Sequence, residues 1–105
     1  MKIVLKAINE QEMDTFLNKE KVVIECYTPN CVHCKSIQKL VEDSALKWEK
    51  EVCFGMVDVT KLPSIAEKFQ IMSVPTLLFL KRGELKQKVV GETYQEVIDQ
   101  MIRRL

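Results

Sequence analysis

The stretch from Val22 to Ile37, V-V-I-E-C-Y-T-P-N-C-V-H-C-K-S-I, constrains the fold more than any other part of the chain. Val22 to Tyr27 is an apolar run of strand length, which suits a strand buried on both faces. Thr28-Pro29-Asn30 ends it, because proline donates nothing to a sheet ladder and asparagine accepts turn geometry. Cys31-x-x-Cys34 then opens a helical pattern. Two thiols so placed can bond to each other within the first helical turn. They also sit where unpaired backbone N–H groups and the helix dipole stabilise a thiolate. A C-x-x-C beside a βαβ pattern points to a redox dithiol.

With 105 residues the chain is expected to form one domain, residues 1–105, around one core. Its formal net charge of +1, with both signs interspersed, gives no electrostatic reason for a nucleic-acid or membrane partner. No segment approaches transmembrane length and none has a signal-peptide core, so the expected location is cytoplasmic. Of the four cysteines, Cys26 and Cys53 fall inside strand patterns and read as small core residues. That leaves Cys31 and Cys34 as the working pair in a reducing compartment.

Lys2–Ile8 reads as a first strand. Asn9 with Glu12 forms a capping-box start for a helix with Met13, Phe16 and Leu17 inward. After the central strand, a helix from Cys31 to about Glu49 buries Cys34, Ile37, Val41, Ala45 and Trp48. Val52–Val59 is another strand. Thr60–Phe69 is a short helix whose first turn tolerates Pro63. Leu77–Leu80 is a strand, Arg82-Gly83 a turn, and Glu84–Val90 a more polar strand nearer an edge. Thr93 with Glu96 reads as a second capping box, followed by an apolar stripe of Tyr94, Val97, Ile98, Met101, Ile102 and Leu105. The order βαβαβαββα makes an α/β fold with helical crossovers and a closing hairpin. The cysteines lie at the carboxyl end of a central strand, where open α/β sheets place their sites.

Cys31, the outer and less buried cysteine, is the expected nucleophile on a substrate disulfide, and Cys34 resolves the mixed disulfide. A structural zinc site would need a second ligand pair at comparable spacing, which Cys26 and Cys53 do not supply. No metal or cofactor is therefore expected. His33, between the cysteines, favours the Cys31 thiolate if it is an imidazolium, and otherwise is a solvated side chain. Glu25 is the odd residue in its strand. Buried, it has a raised pKa and can relay a proton to and from Cys34; at an edge, it pairs with a lysine. Val74-Pro75 stands before a strong strand, and in the cis form would free the Val74 backbone to pair with an extended substrate.

In these features the chain resembles the thioredoxin family over nearly its whole length. The resemblance rests on the C-x-x-C after a buried strand, Val74-Pro75-Thr76 before Leu77-Leu78-Phe79-Leu80, and K-R-G-E with Gly91 eight residues after Gly83. It implies a thioredoxin fold, with a central mixed five-stranded sheet flanked by four helices. It also implies a cis Val74-Pro75 bond, thiol–disulfide exchange on protein substrates, an electron donor of the thioredoxin-reductase type, and a monomer. Glu25 stands where the family has a buried aspartate. Asn30 replaces the family's tryptophan and alters the substrate-facing rim, and Val32-His33 replaces its Gly-Pro. The x-His pair is closer to disulfide isomerases and oxidases. Lys39 replaces a helix proline, and Met56 replaces a lysine near the buried acid, leaving Glu25 without that charge.

Three other readings compete. One is a more oxidising isomerase or oxidase. Another is a metal or iron–sulfur protein that pools two C-x-x-C pairs in a dimer, which colour and metal content would reveal. A third is a redox-inert interaction module. A glutaredoxin is disfavoured, because no Gly-Gly-x-Asp pattern follows Pro75.

Overall fold

Val22, Val23, Ile24 and Cys26 are all fully buried, as their continuous apolar run requires of a strand covered on both faces. In the computed structural model of the chain, residues 5–105 are described. The order is β1 (Leu5–Ala7), α1 (Met13–Leu17), β2 (Lys21–Tyr27), α2 (Val32–Trp48), β3 (Cys53–Asp58), α3 (Pro63–Lys68), β4 (Thr76–Lys81), β5 (Glu84–Val90) and α4 (Gln95–Arg103). Of the expected strand Lys2–Ile8, the part before Leu5 lies outside the described residues.

The strands form one five-stranded sheet in the order β1-β3-β2-β4-β5. β1, β3 and β2 run parallel, while β4 lies antiparallel to β2 and β5 antiparallel to β4. The sheet is therefore mixed, with β2 central. Side-chain alternation splits the core in two. Ile24, Cys26, Leu78 and Leu80 pack with Phe16 of α1 and Ile65 of α3. Val23, Phe54, Leu77 and Phe79 pack with Ile37 and Val41 of α2 and Ile98 and Ile102 of α4. Each such large side chain removed from water stabilises the fold by roughly 1.5–3 kcal/mol.

The Asn9 capping box is present: Glu12 N–H donates to Asn9 Oδ1 at 2.9 Å, and Asn9 N–H to Glu12 Oε1 at 3.1 Å. The regular helix begins only at Met13. Pro63 opens α3, so Thr60–Leu62 is a turn that leads into the helix. The β4–β5 hairpin turns on Arg82 and Gly83, both at positive φ (51° and 83°). That is the geometry a two-residue loop needs to match strand twist, and glycine adopts it without strain.

The second capping box does not form. Tyr94 is the N-cap of α4 and makes no side-chain cap bond, which puts Glu96 one position too early to close a box with Thr93. Gln95 instead turns into the α2–α4 contact, where its Nε2 donates to Ser44 Oγ. Tyr94 also leaves the expected apolar stripe and is exposed, whereas Ile98, Ile102 and Leu105 are buried. Trp48 is only partly buried, and its indole N–H donates to Asp99 Oδ1 at 3.0 Å across the same contact.

Candidate active site

The turn Thr28-Pro29-Asn30 carries the chain from β2 into α2, with Cys31 N–H donating to the Thr28 carbonyl at 3.3 Å. Cys31 is the N-cap of α2, in extended backbone, and its Sγ accepts the Cys34 N–H at 3.1 Å. Serine or aspartate oxygens ordinarily fill this position; here a sulfur does so, and a thiolate would accept the same bond more strongly. Cys31 and Cys34 form a disulfide, their Cα atoms 5.2 Å apart. Cys31 is half-buried and Cys34 only 3% exposed, so the first sulfur faces solvent and the second faces the core.

β4 starts where β2 ends, with Thr76 opposite Cys26. Val74 and Pro75 therefore lie at the same end of the sheet as the cysteines. The Val74-Pro75 bond is cis. The Pro75 carbonyl accepts the Gly91 N–H at 2.8 Å, and Thr76 Oγ1 donates to the Ser73 carbonyl at 2.7 Å. Gly91 has φ of 84°, which lets the chain leave β5 and keep that bond. Neither backbone group of Val74 is paired among the described residues.

Glu25 is fully buried in β2, on the face covered by α2 and α4, so the alternative of an edge residue paired with lysine is overturned. Neither carboxylate oxygen has a hydrogen-bond partner among the described residues. Burial, with a smaller push from the Glu42 carboxylate, raises its pKa to about 8. Its partner in register on β3 is Met56, an uncharged side chain.

Cys26 points to the opposite face from Glu25, and burial pushes its thiol up to about 12. Cys53 starts β3, at the far end of the sheet from the redox pair. Neither joins Cys31 and Cys34. Asn30 is exposed, and Val32 is 73% exposed beside the first sulfur's turn.

His33 is exposed, as expected for the turn between the cysteines, but its Nδ1 lies 2.5 Å from Oε1 of Glu92. Glu92 was not singled out from sequence, and no local spacing could have marked it. The exposure of Met72 (92%), Val90 and Tyr94 was likewise not foreseen from sequence. Val32, Met72, Val90 and Tyr94 make up most of the large exposed apolar side chains among the described residues. Their segments all adjoin the redox turn or the Pro75–Gly91 contact.

The thioredoxin family model matches residues 4–104. Thioredoxin H3 of Arabidopsis thaliana is 37% identical over 94 residues, covering 90% of this chain and 73% of that protein. A thioredoxin of Staphylococcus aureus is 30% identical over 96 residues, covering 88% and 92%. Among solved structures, mitochondrial thioredoxin 3 of Saccharomyces cerevisiae in its oxidised form superposes with a TM-score of 0.84 at 25% identity, covering 96% and 95%. A point mutant of a thioredoxin from Halobacterium salinarum gives a TM-score of 0.85 at 23% identity, covering 95% and 88%, which shows a shared fold.

Proposed function

The chain belongs to the thioredoxin family and is a thiol–disulfide oxidoreductase of proteins, and from that premise we propose how its own residues divide the work. Cys31 is the attacking sulfur. The observation that carries this reading is its position: an accessible helix N-cap whose Sγ accepts the Cys34 N–H, with Cys34 buried behind it. The Cys31 thiolate attacks one sulfur of a substrate disulfide. The S–S bond breaks, a mixed disulfide forms, and the displaced substrate thiolate takes a proton from solvent. Cys34 then attacks Cys31 Sγ, releasing the second substrate thiol and closing the Cys31–Cys34 disulfide.

Cys34 is buried, so its proton needs an internal acceptor, and Glu25 is the buried carboxyl on the α2-covered face. Its carboxylate takes the proton as Cys34 attacks, and its neutral form returns one when the pair is reduced. With a pKa of about 8 it is mainly neutral at pH 7 and serves best as the acid of the return step.

The substrate segment lies between the redox turn and Val74, pairing with the Val74 backbone and resting its apolar side chains on Val32 and Met72. A flexible methionine on such a rim fits varied sequences. Reducing equivalents come from a dithiol reductase of the thioredoxin-reductase type. The protein works as a cytoplasmic monomer.

His33 favours a second reading, with more oxidising, isomerase-like work. Equilibration with glutathione buffers separates the two. A potential near about −270 mV supports the reductase, whereas one near about −180 mV supports the isomerase.

A further inference from the structure

Between the cysteines, a histidine with no other partner can bring positive charge to the attacking sulfur. Here it is held. His33 Nδ1 lies 2.5 Å from Oε1 of Glu92, and both side chains are about two-thirds exposed, at 68% and 69%. An imidazole nitrogen that close to a carboxylate oxygen carries a proton, so the ring presents Nδ1–H to Glu92. Glu92 directly follows Gly91, whose N–H is bonded to the Pro75 carbonyl. The loop that anchors the Val74-Pro75 wall thus also supplies the carboxylate that holds the redox-turn histidine.

We propose that Glu92 is a positioning residue for the redox chemistry: it holds the His33 imidazole toward the β5–α4 loop and offsets its charge, so the Cys31–Cys34 pair is more reducing than a free histidine at this position makes it. This rests on the reading of Cys31 as the attacking sulfur. Reduction of the pair by glutathione converts one protein disulfide and two glutathione thiols into a protein dithiol and one glutathione disulfide. Two electrons pass from the glutathione sulfurs to Cys31 and Cys34, and the two thiol protons go with them. Whatever stabilises the Cys31 thiolate favours the reduced side of that equilibrium and makes the disulfide a stronger oxidant. An imidazolium turned to Cys31 does so. An imidazole tied to a carboxylate does so less.

The test equilibrates the full chain with glutathione buffers at pH 7 and low ionic strength, where an exposed pair is least screened. Glu92→Gln should raise the equilibrium constant for reduction about three- to tenfold, tenfold corresponding to about 30 mV. Glu92→Asp keeps a carboxylate and should stay within about twofold of the parent. In a His33→Asn background, Glu92→Gln should shift the constant by less than about twofold, because the group it positions is gone. The Cys31 alkylation rate gives a second readout and should rise on Glu92→Gln only when His33 is present. An unchanged constant in Glu92→Gln, or an equal shift with and without His33, overturns the proposal while leaving the dithiol reading intact. A pair that does not equilibrate with glutathione at all overturns the dithiol reading itself, and this inference with it.

Discussion

Glu25 and Met56 stand opposite each other in register on β2 and β3, so a fully buried carboxyl has a thioether where a cation could have stood. Paired residues on parallel strands point to the same face of the sheet. Met56 therefore gives Glu25 neither charge nor a hydrogen bond, and burial holds its pKa at about 8, so the carboxyl is mainly protonated at neutral pH. This relationship ties protein stability to the Glu25 proton, the same proton that the proposed mechanism uses.

Glu25 predicts how stability changes with pH. Its folded pKa of about 8 lies above the ordinary value of 4.5, so the native state binds more protons than the unfolded state between those values. Stability contributed by the neutral form is full below about pH 4.5 and is lost as pH rises toward 8. By about pH 7 the loss is roughly 3 kcal/mol, at about 1.36 kcal/mol per unit of pKa difference. Glu25→Leu should remove that slope and raise the melting temperature at about pH 8. It should also slow closure of the Cys31–Cys34 disulfide. A melting temperature with the same pH slope in Glu25→Leu would assign the slope to another group.

Met56→Lys tests the opposite change. An ammonium facing Glu25 favours its carboxylate and should bring its pKa down from about 8. Carbon-13 NMR of the labelled side chain reads this directly. Resolution of the mixed disulfide at neutral pH should speed up, because more of the base is ionised. An unmoved titration would mean that the lysine escapes to solvent.

Met72→Glu tests the substrate rim. The side chain is 92% exposed, so the change should leave folding intact. It should slow reduction of insulin disulfides severalfold and leave reduction of a small aromatic disulfide within about twofold, because in the proposed binding mode only a protein substrate reaches Met72. Equal slowing of both would place the effect at the cysteines.

The chemistry-bearing segment was legible because it is local. An apolar run, a Pro-Asn break and a C-x-x-C at a helix start are all contained in Val22–Ile37, and β2, its turn and α2 appear there within a residue or two. The apolar neighbours of Glu25 in the same run suggested burial but left an edge position paired with lysine open, and only the packed sheet decides for burial. Contacts between distant segments were not legible. Ser44 and Asp99, 55 residues apart, meet at 3.0 Å in the α2–α4 contact, and Glu92 reaches His33 only once β5 has been laid beside β4. Thr93 and Glu96 show the reverse case: a valid local signal is not used, because α4 is capped at Tyr94, while the neighbouring Gln95 bonds to Ser44 across the α2–α4 contact.

That same contact yields a stability prediction. Asp99 accepts bonds from Ser44, Trp48 and Lys47 at 3.0, 3.0 and 3.2 Å. Burial pushes its pKa up, but donation by Trp48, Lys47 and Ser44 outweighs this and holds it below the usual value. The contribution is therefore present above the ordinary aspartate pKa and is lost as pH falls through the lowered one. Asp99→Ala should cost about 1–3 kcal/mol at neutral pH and shift Trp48 fluorescence, with redox activity retained at low temperature. Unchanged stability would show that the buried donors find other partners.

The most direct test of the central claim is to trap the mixed disulfide. Reduced Cys34→Ser protein is incubated with insulin, whose disulfides are intact, and the covalent adduct is mapped by mass spectrometry after blocking free thiols. The account predicts a stable adduct through Cys31, and none when Cys31 is also changed to Ser. An adduct through Cys26 or Cys53, or no adduct with Cys31 intact, would contradict it.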